Sequence, residues 1–543
     1  MVADQRDITD RPDLSRTAGR VGPVRTRMPV YMDLLPPCNN ACPAGENIQE
    51  YLRLVKAGQD EMAWRQLTAD NPFPAIHGRV CYHPCENACN RAGLDSAISI
   101  HGVERYLGDK ALAEGWTFPE PEQLTGFKVL IIGAGPSGLS AAYHLARLGH
   151  TVEIRDGGDL PGGMMRYGIP EYRLPRDVVD AEIERIKALG VTIKQNHYVK
   201  DLLAEQAEGG FDAVFVAIGA HLSKRIDIPS MDAGRIVDAV SFLRNVASGE
   251  RPVIGRRVAV YGGGNTAMDA ARVARRLGAE ESIVVYRRTE EQMPAHAAEK
   301  SAAEAEGVQM NWLRTIQAME SDAVTVEIME LDENGRARGT GRFEELQADT
   351  VILALGQEAD SDFLKAIPGM QFDHDVVRVD PKTLMTDVAG IFAGGDAVPS
   401  ERTVTIGVGH GKRAARMIDA FLFNHESPNR RKNAIATLDM LNLWYFGDHD
   451  RRMEPELDAS IRTEGFAEIV EGLKPEEALF EAERCLSCGN CIECDGCLGS
   501  CPEDAIIKLG KGFRYKYDYE KCTGCATCFE QCPVHAIEMI PEH

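Results

Sequence analysis

Cysteine is absent from the whole middle of the chain: none lies between Cys89 and Cys485, although the 543 residues hold 15. A disulfide-stapled secreted scaffold is excluded, because such proteins are small and spread their bridges along the chain. Positive charge is also in short supply, with 60 Lys+Arg against 83 Asp+Glu and a net charge of −23. Nucleic acid and anionic membrane faces are poor partners for such a chain, since phosphate binding needs clustered cations. No apolar run reaches the roughly 18 residues of a membrane span. Residues 1–30 are polar and Arg-bearing, without the apolar stretch of a signal peptide, and are expected to form a flexible tail. A soluble, cytoplasmic protein of three or four domains, at about 150 residues each, is the expectation.

The cysteines that are present crowd the two ends. Five fall between Cys38 and Cys89 (with Cys42, Cys81 and Cys85), and ten between Cys485 and Cys532. Dense runs at two- and three-residue spacing point to metal rather than to reduced core thiols. Cys491, Cys494, Cys497 and Cys501 recur 31 residues later as Cys522, Cys525, Cys528 and Cys532, each half ending in C-P-x-x-A-I. Two linked copies of C-x2-C-x2-C-x3-C-P resemble the bacterial two-cluster ferredoxin, in which the fourth Cys of each run ligates the other cluster. Zinc is the competing reading of such spacing.

Between the cysteine blocks the pattern is that of doubly wound α/β folds: short apolar strands, Gly-rich turns and Ala-rich helices. The strand KVLIIG (128–133) runs into GAGPSG and a helix. Gly133 and Gly135 let the backbone turn and approach a pyrophosphate, Gly138 permits close packing, and Pro136 and Ser137 open the helix whose N-terminus meets the phosphate. The next strand ends in Asp156, placed to accept ribose hydroxyls. A second copy follows RVAVYG (257–262), with Gly262, Gly264 and Ala267 in the G-x-G-x-x-A positions and Asn265 and Thr266 between them. Its second strand ends in Arg287 and Arg288 instead of an acid. Guanidinium groups there favour NADP(H) over NAD(H), unless both are simply solvated.

GIFAGGDAVPS (390–400), with Gly395 and Asp396, resembles the second FAD motif of two-dinucleotide-domain flavoproteins. DAVFVAIGA and DTVILALGQ, with Gly219 and Gly356, resemble the strands that enter and leave their inserted nicotinamide domain. That order makes the first site FAD and the second NAD(P). The C-x4-C pair of flavin disulfide reductases has no counterpart in the cysteine-free middle, which excludes that class.

The expected fold is therefore α/β, with two Rossmann-like dinucleotide-binding domains, an N-terminal α-helical Fe–S domain and a C-terminal bacterial-ferredoxin-like α+β domain. The expected boundaries are a helical Fe–S domain over 31–121, with a helical stretch from Asn47 to Leu67 broken at Gly58. The FAD-binding domain covers 122–250 and 350–424, the NAD(P)-binding domain 251–349, a connector 425–484, and the two-[4Fe–4S] domain 485–543. The connector holds one apolar cluster, Leu441, Leu443, Trp444, Tyr445 and Phe446. It reads as a helix docked on its own protein or as a partner anchor.

NPFPAIHGRVCYHPC, GAGPSGLSAAYHLARLGH, GGMMRYGIPEYRLP, GGGNTAMDAAR, VVYRRTEEQMPA and GIFAGGDA resemble the small subunit of NADPH-dependent glutamate synthase over about residues 34–424. Relatives of that family include the corresponding half of dihydropyrimidine dehydrogenase, the large subunit of the electron-bifurcating transhydrogenase, and a flavoprotein associated with dissimilatory sulfite reductase. The resemblance implies FAD, NADP(H) or NAD(H), and [4Fe–4S] clusters. It places Gly162, Gly163, Met164 and Tyr167–Pro170 against the flavin ring. It also implies a cluster held by Cys42, Cys81, Cys85 and the side-chain oxygen of Glu104. Two features depart from the family. The C-x2-C pair normally upstream of Cys38 is missing, and nothing resembles the amidotransferase or synthase domains; the chain begins Met-Val and offers no N-terminal Cys nucleophile.

The function so implied is an FAD-dependent NAD(P)H:acceptor oxidoreductase subunit in a hetero-oligomer. It would exchange electrons with a catalytic redox subunit or a ferredoxin, in either direction. The partner could equally be a 2-oxoacid:ferredoxin oxidoreductase or a sulfite reductase; the reading from a different class is a non-redox Fe–S scaffold. No side-chain nucleophile or base is required, so no catalytic residue is assigned. Four clusters need sixteen ligands, and 15 Cys plus Glu104 supply them. Cys485 and Cys488, in EAERCLSCGN, resemble the C-L-x-C-G opening of the family and are expected to complete a cluster with Cys38 and Cys89, by folding back or by crossing to a second subunit. With those four as spare thiols, three clusters remain.

Overall fold

The computed structural model describes residues 25–224, 228–229, 235–320, 322–426 and 433–542. Residues 1–24 of the expected tail lie outside these. Its last part is not a tail, because Arg27–Tyr31 forms a strand antiparallel to Ile537–Pro541, at the far end of the chain. Five residues, Arg-Met-Pro-Val-Tyr, with a proline at the centre, carry no strand signal without that partner.

The N-terminal domain is helical, as expected. Ile48–Lys56 and Asp60–Thr68 are separate helices on either side of Gly58, whose φ of 69° suits a residue without Cβ. Ile48, Tyr51, Leu52 and Val55 pack against Val103 and Leu107 of the helix Ile100–Glu114. Leu473, Ala478 and Ala482 join the same core, so the helix Pro475–Arg484 belongs to the N-terminal domain and not to a free-standing connector. Glu481 is fully buried there and is held by Arg484, at 2.8 Å.

Two five-stranded parallel sheets follow. In the first, Ile391–Ala393, Ala213–Val216, Lys128–Ile132, Thr151–Arg155 and Thr192–Lys194 lie side by side. In the second the order is Gln309–Trp312, Glu281–Tyr286, Arg257–Tyr261, Thr350–Leu353 and Arg235–Asp238. The expected boundary at 250/251 is therefore corrected, as is that at 349/350. Arg235–Asp238 and Thr350–Leu353 were assigned to the FAD domain but sit in the second sheet, paired parallel to each other. The real crossing is a short antiparallel ladder, Leu222–Ser223 with Gln357–Glu358. The strand RIVD has no glycine-rich turn beside it, so the sequence pattern did not mark it.

A three-stranded antiparallel sheet (Arg314–Met319, Ala323–Leu331, Ala337–Gln347) is appended to the second unit. At the C-terminus, the hairpin Ile506–Lys508/Tyr515–Tyr517 lies between two short helices, Gly496–Ser500 and Thr527–Glu530, in and around which the repeated cysteines sit. The Leu441–Phe446 cluster is not a helix of any length: it makes one 3-10 turn, Leu443–Tyr445. Leu441 is buried with Leu486 and Cys488, Leu443 and Phe446 pack against them, and Trp444 is 69% exposed.

Candidate redox site

Both dinucleotide loops open on one cleft of about 840 Å³, lined by Gly133, Gly135, Pro136, Ser137, Asp156, Gly163, Met164, Gly219, Gly264, Asn265, Thr266, Gly356, Gly395 and Asp396. The glycines do what their spacing implied. A Cβ on Gly133 would stand 2.4 Å from the Ala217 carbonyl oxygen, and one on Gly138 2.0 Å from that of Gly133. At Gly262 it would stand 2.2 Å from the Ala354 carbonyl oxygen. By contrast, a Cβ on Gly135 or Gly264 would meet nothing within 4 Å. These two residues face the space a pyrophosphate needs.

The helices Pro136–Arg147 and Asn265–Arg276 start at Gly135 and Gly264 with no side-chain cap. No side chain at either start competes with an anion for the N–H groups of the first turn. The Ser137 hydroxyl is buried and unpartnered beside the first loop, as a phosphate-facing hydroxyl would be. Gly163 packs so closely on this loop that its Cβ would lie 2.8 Å from Gly135 Cα. Gly162 donates its N–H to the Ala134 carbonyl at 2.8 Å and holds that turn instead of lining the cleft. Met164, Tyr167, Gly168 and Ile169 line the wall assigned to the flavin ring.

Asp156 accepts from the Ala134 and Gly158 amides at 2.6 and 2.7 Å, fixing the end of its strand at the cleft. Burial raises the Asp396 carboxyl to about 6, against the pull of Arg402. Gly395 donates its N–H to His410 Nδ1 at 3.1 Å, and burial holds that ring down at about 4, so it is neutral. Arg287 is exposed and Arg288 half-buried at the end of Glu281–Tyr286, and neither lines the cleft. Ala267 is buried on the helix behind the second loop.

Sequence reasoning missed several wall residues. Arg173 binds Asp269 at 2.9 Å and also pairs with Glu299. Tyr82 stacks on His296 with ring centroids 3.5 Å apart, joining the N-terminal domain to the second dinucleotide unit. Thr405 donates its hydroxyl to Cys81 Sγ at 3.2 Å. Tyr82 and Arg173 line the cleft and stand in motifs quoted above without a role being read from them, whereas Thr405 lies behind the cleft and carries no pattern.

The cysteines assemble in four groups. Burial, then the neighbouring Cys485, Cys89 and Cys488, pushes the Cys38 thiol well above its usual range. The C-terminal cysteine block thus returns to the N-terminal domain of the same chain. Asn90 Nδ2 contacts Cys488 Sγ at 3.4 Å, and Gln49 Nε2 donates to Ser487. Burial, then Glu104, raises Cys81 to about 12, and Cys42 and Cys85 share that neighbourhood. Glu104 is buried and accepts from Asn71 Nδ2 at 2.9 Å. Cys497 has Cys491, Cys494 and Cys532 as neighbours, while Cys501, Cys522, Cys525 and Cys528 line one small cavity. Converging buried sulfurs repel one another as thiolates, and a cationic iron core among them removes that penalty.

Comparison with known proteins agrees with this geometry. Residues 127–416 match the family described as pyridine nucleotide-disulphide oxidoreductase. Residues 34–116 match dihydropyrimidine dehydrogenase domain II, 4Fe-4S cluster, and residues 490–536 the 4Fe-4S dicluster domain. The chain belongs to the iron–sulfur flavoprotein subunits of this oxidoreductase family. It is 38% identical over 499 residues to the NADP(+)-dependent formate dehydrogenase subunit beta of Moorella thermoacetica, covering 83% of this chain and 70% of that one. It is 32% identical to the NADPH-Fe(3+) oxidoreductase subunit beta of Geobacter sulfurreducens, covering 83% and 75%. To the glutamate synthase [NADPH] small chain of Azospirillum brasilense it is 33% identical, covering 71% and 86%. This iron–sulfur flavoprotein is an FAD-dependent NAD(P)H oxidoreductase that passes electrons between nicotinamide, flavin and [4Fe–4S] centres. No described helix is long and apolar enough to cross a membrane.

Proposed function

We propose that the chain is the NADP(H)-reactive subunit of a hetero-oligomer whose partner carries out the reaction on the final substrate. The carrying observation is that both phosphate loops, through Gly135 and Gly264, open on one cleft, so a nicotinamide and a flavin can meet there. The relatives named above share a pyridine nucleotide in name and differ in what else they act on. The shared part is assigned to this chain.

Gly133, Gly135, Pro136, Ser137, Asp156, Gly163, Met164, Gly395 and Asp396 would hold FAD. Gly262, Gly264, Asn265, Thr266 and Ala267 would hold NADP(H), with Arg287 and Arg288 pairing with its 2′-phosphate. When bound, the flavin accepts hydride and releases electrons singly, which the clusters require. The protein's part is to stack the two rings, exclude water and supply a route away from the cleft. That route starts at Cys42, Cys81, Cys85 and Glu104 and continues to Cys38, Cys89, Cys485 and Cys488. It ends in the ferredoxin-like module, with Cys491, Cys494, Cys497 and Cys532 as one set and Cys501, Cys522, Cys525 and Cys528 as the other. Cys525 is exposed, so the last set is the outlet to the partner.

Anaerobic titration of the purified protein tests this reading. NADPH should bleach the flavin bands in the visible spectrum, then the broad cluster absorbance. A protein that binds NADPH without bleaching would be a scaffold, not a reductase.

A further inference from the structure

The helix Val404–Leu422 touches both redox sites at once. Val404 and Gly407 line the dinucleotide cleft, while Thr405, one of the two residues between them, turns away and is buried. Its hydroxyl donates to Cys81 Sγ at 3.2 Å. The Thr403 side chain caps the helix by accepting from the Ile406 N–H at 3.2 Å, so this first turn has a fixed orientation. Further along, a Cβ on Gly409 would stand 2.1 Å from the Pro43 carbonyl oxygen. Lys412 binds the Ala44 carbonyl at 2.9 Å and Asp70 at 2.6 Å. The helix is thereby clamped onto the Cys42–Gly45 segment, and the 3.2 Å contact is a defined one.

We propose that Thr405 is a positioning residue that raises the reduction potential of the [4Fe–4S] site at Cys81 and so makes it the acceptor of electrons leaving the flavin. The inference rests on the reading that Cys42, Cys81, Cys85 and Glu104 hold a cluster. A donor to a ligand sulfur stabilises the more negative, reduced state, and such bonds are among the factors that set cluster potentials. The effect is large where water is excluded. Thr405 is itself buried, so its hydroxyl meets the sulfur in a site shielded from water. Electrons balance simply. NADPH becomes NADP+ and H+ while giving up two electrons, and these leave the flavin one at a time through a site that holds one.

The test is an EPR-monitored redox titration of the full-length protein and its Thr405→Val and Thr405→Ser variants. Thr405→Val keeps the shape and removes the donor; Thr405→Ala removes the donor without added bulk should Val disturb the packing. At a fixed poise, losing the hydroxyl should lower the reduced-to-oxidised ratio of one cluster about tenfold, a shift of about 59 mV for a one-electron couple. Thr405→Ser should keep the native value, and the flavin potential should not move. An unshifted cluster in both Val and Ala variants overturns the proposal. Cys81→Ser separates the two levels of inference: if it leaves all cluster signals unchanged, no cluster sits at Cys81 and the underlying assignment fails with the proposal.

Discussion

The Tyr31 hydroxyl lies 3.8 Å from Cys497 Sγ, and the Tyr31 ring stacks on Tyr517 at 5.2 Å between centroids. A residue from the start of the chain is thus built into the core of the ferredoxin-like module near its end. Arg25 reinforces the link by pairing with Glu542 and donating to the Tyr519 carbonyl at 2.6 Å. After the strand, Leu34 donates to the Gly489 carbonyl at 3.1 Å before the chain reaches Cys38. This segment is a strap between the two cysteine-rich ends.

Tyr31→Ala should loosen that strap. The stacked pair and the half-buried ring together contribute about 2 kcal/mol, less than a fully buried aromatic would. The expected outcome is earlier thermal release of the C-terminal module and faster proteolysis within 433–490, with the flavin absorbance unaltered. Tyr31→Phe keeps the stack and should behave as wild type in the same assays.

Cys485→Ser with Cys488→Ser addresses the cluster count. Four clusters correspond to about sixteen Fe per FAD, and the double variant should fall to about twelve. Because the shared site ties the N-terminal domain to the C-terminal block, metal loss should also lower the unfolding temperature. Twelve Fe in the unaltered protein would leave these four cysteines as thiols.

Much of this arrangement could be read before the structure. Regular spacing marked Gly133, Gly135 and Gly138, because a phosphate loop, its strand and its helix form one local unit. The repeated cysteines were equally legible. Counting ligands pairs Cys485 and Cys488 with Cys38 and Cys89, and Cys38 has the other three as neighbours. What was not legible depends on contacts distant in sequence. The strand Arg27–Tyr31 exists because Ile537–Pro541 offers an edge. Arg235–Asp238 is a strand because Thr350–Leu353 lies beside it. The helix Pro475–Arg484 has a charged, connector-like sequence, and only its packing of Ala478 and Ala482 on the core around Ile48 assigns it to the N-terminal domain. Thr405 carries no pattern, since its meaning comes from Cys81.

Coenzyme choice is predicted to depend on Arg287 and Arg288. Neutralising both removes charge-assisted contacts of about 1.5–3 kcal/mol in total. The KM for NADPH should therefore rise about 10- to 100-fold, with that for NADH nearly constant. Steady-state kinetics with both coenzymes measures the ratio directly. A ratio that stays put would place the 2′-phosphate away from these two arginines.

The last prediction concerns pH. His101 stands between Glu86 and Glu454, with ring nitrogens 2.6 and 2.8 Å from their carboxylates. Burial opposes its charge, but the hydrogen bonds it donates to Glu454 and Glu86 outweigh it and raise the imidazole to about 9. Glu86 responds in the opposite sense: burial raises it, yet His101 and Arg451 bring it down to about 2. A histidine whose folded value exceeds its unfolded 6.5 binds an extra proton in the folded state between those limits. Its contribution is complete below pH 6.5 and is lost as pH rises through 9. The size is up to about 3 kcal/mol, and because Glu454 belongs to the segment after residue 433, it acts on the join between that segment and the N-terminal domain. Thermal unfolding at pH 6, 7.5 and 9 should show a falling midpoint. His101→Gln, which keeps a donor but cannot take the charge, should lower the midpoint at pH 6 and flatten the slope above it. An equally steep decline in that variant would assign the pH dependence to another group.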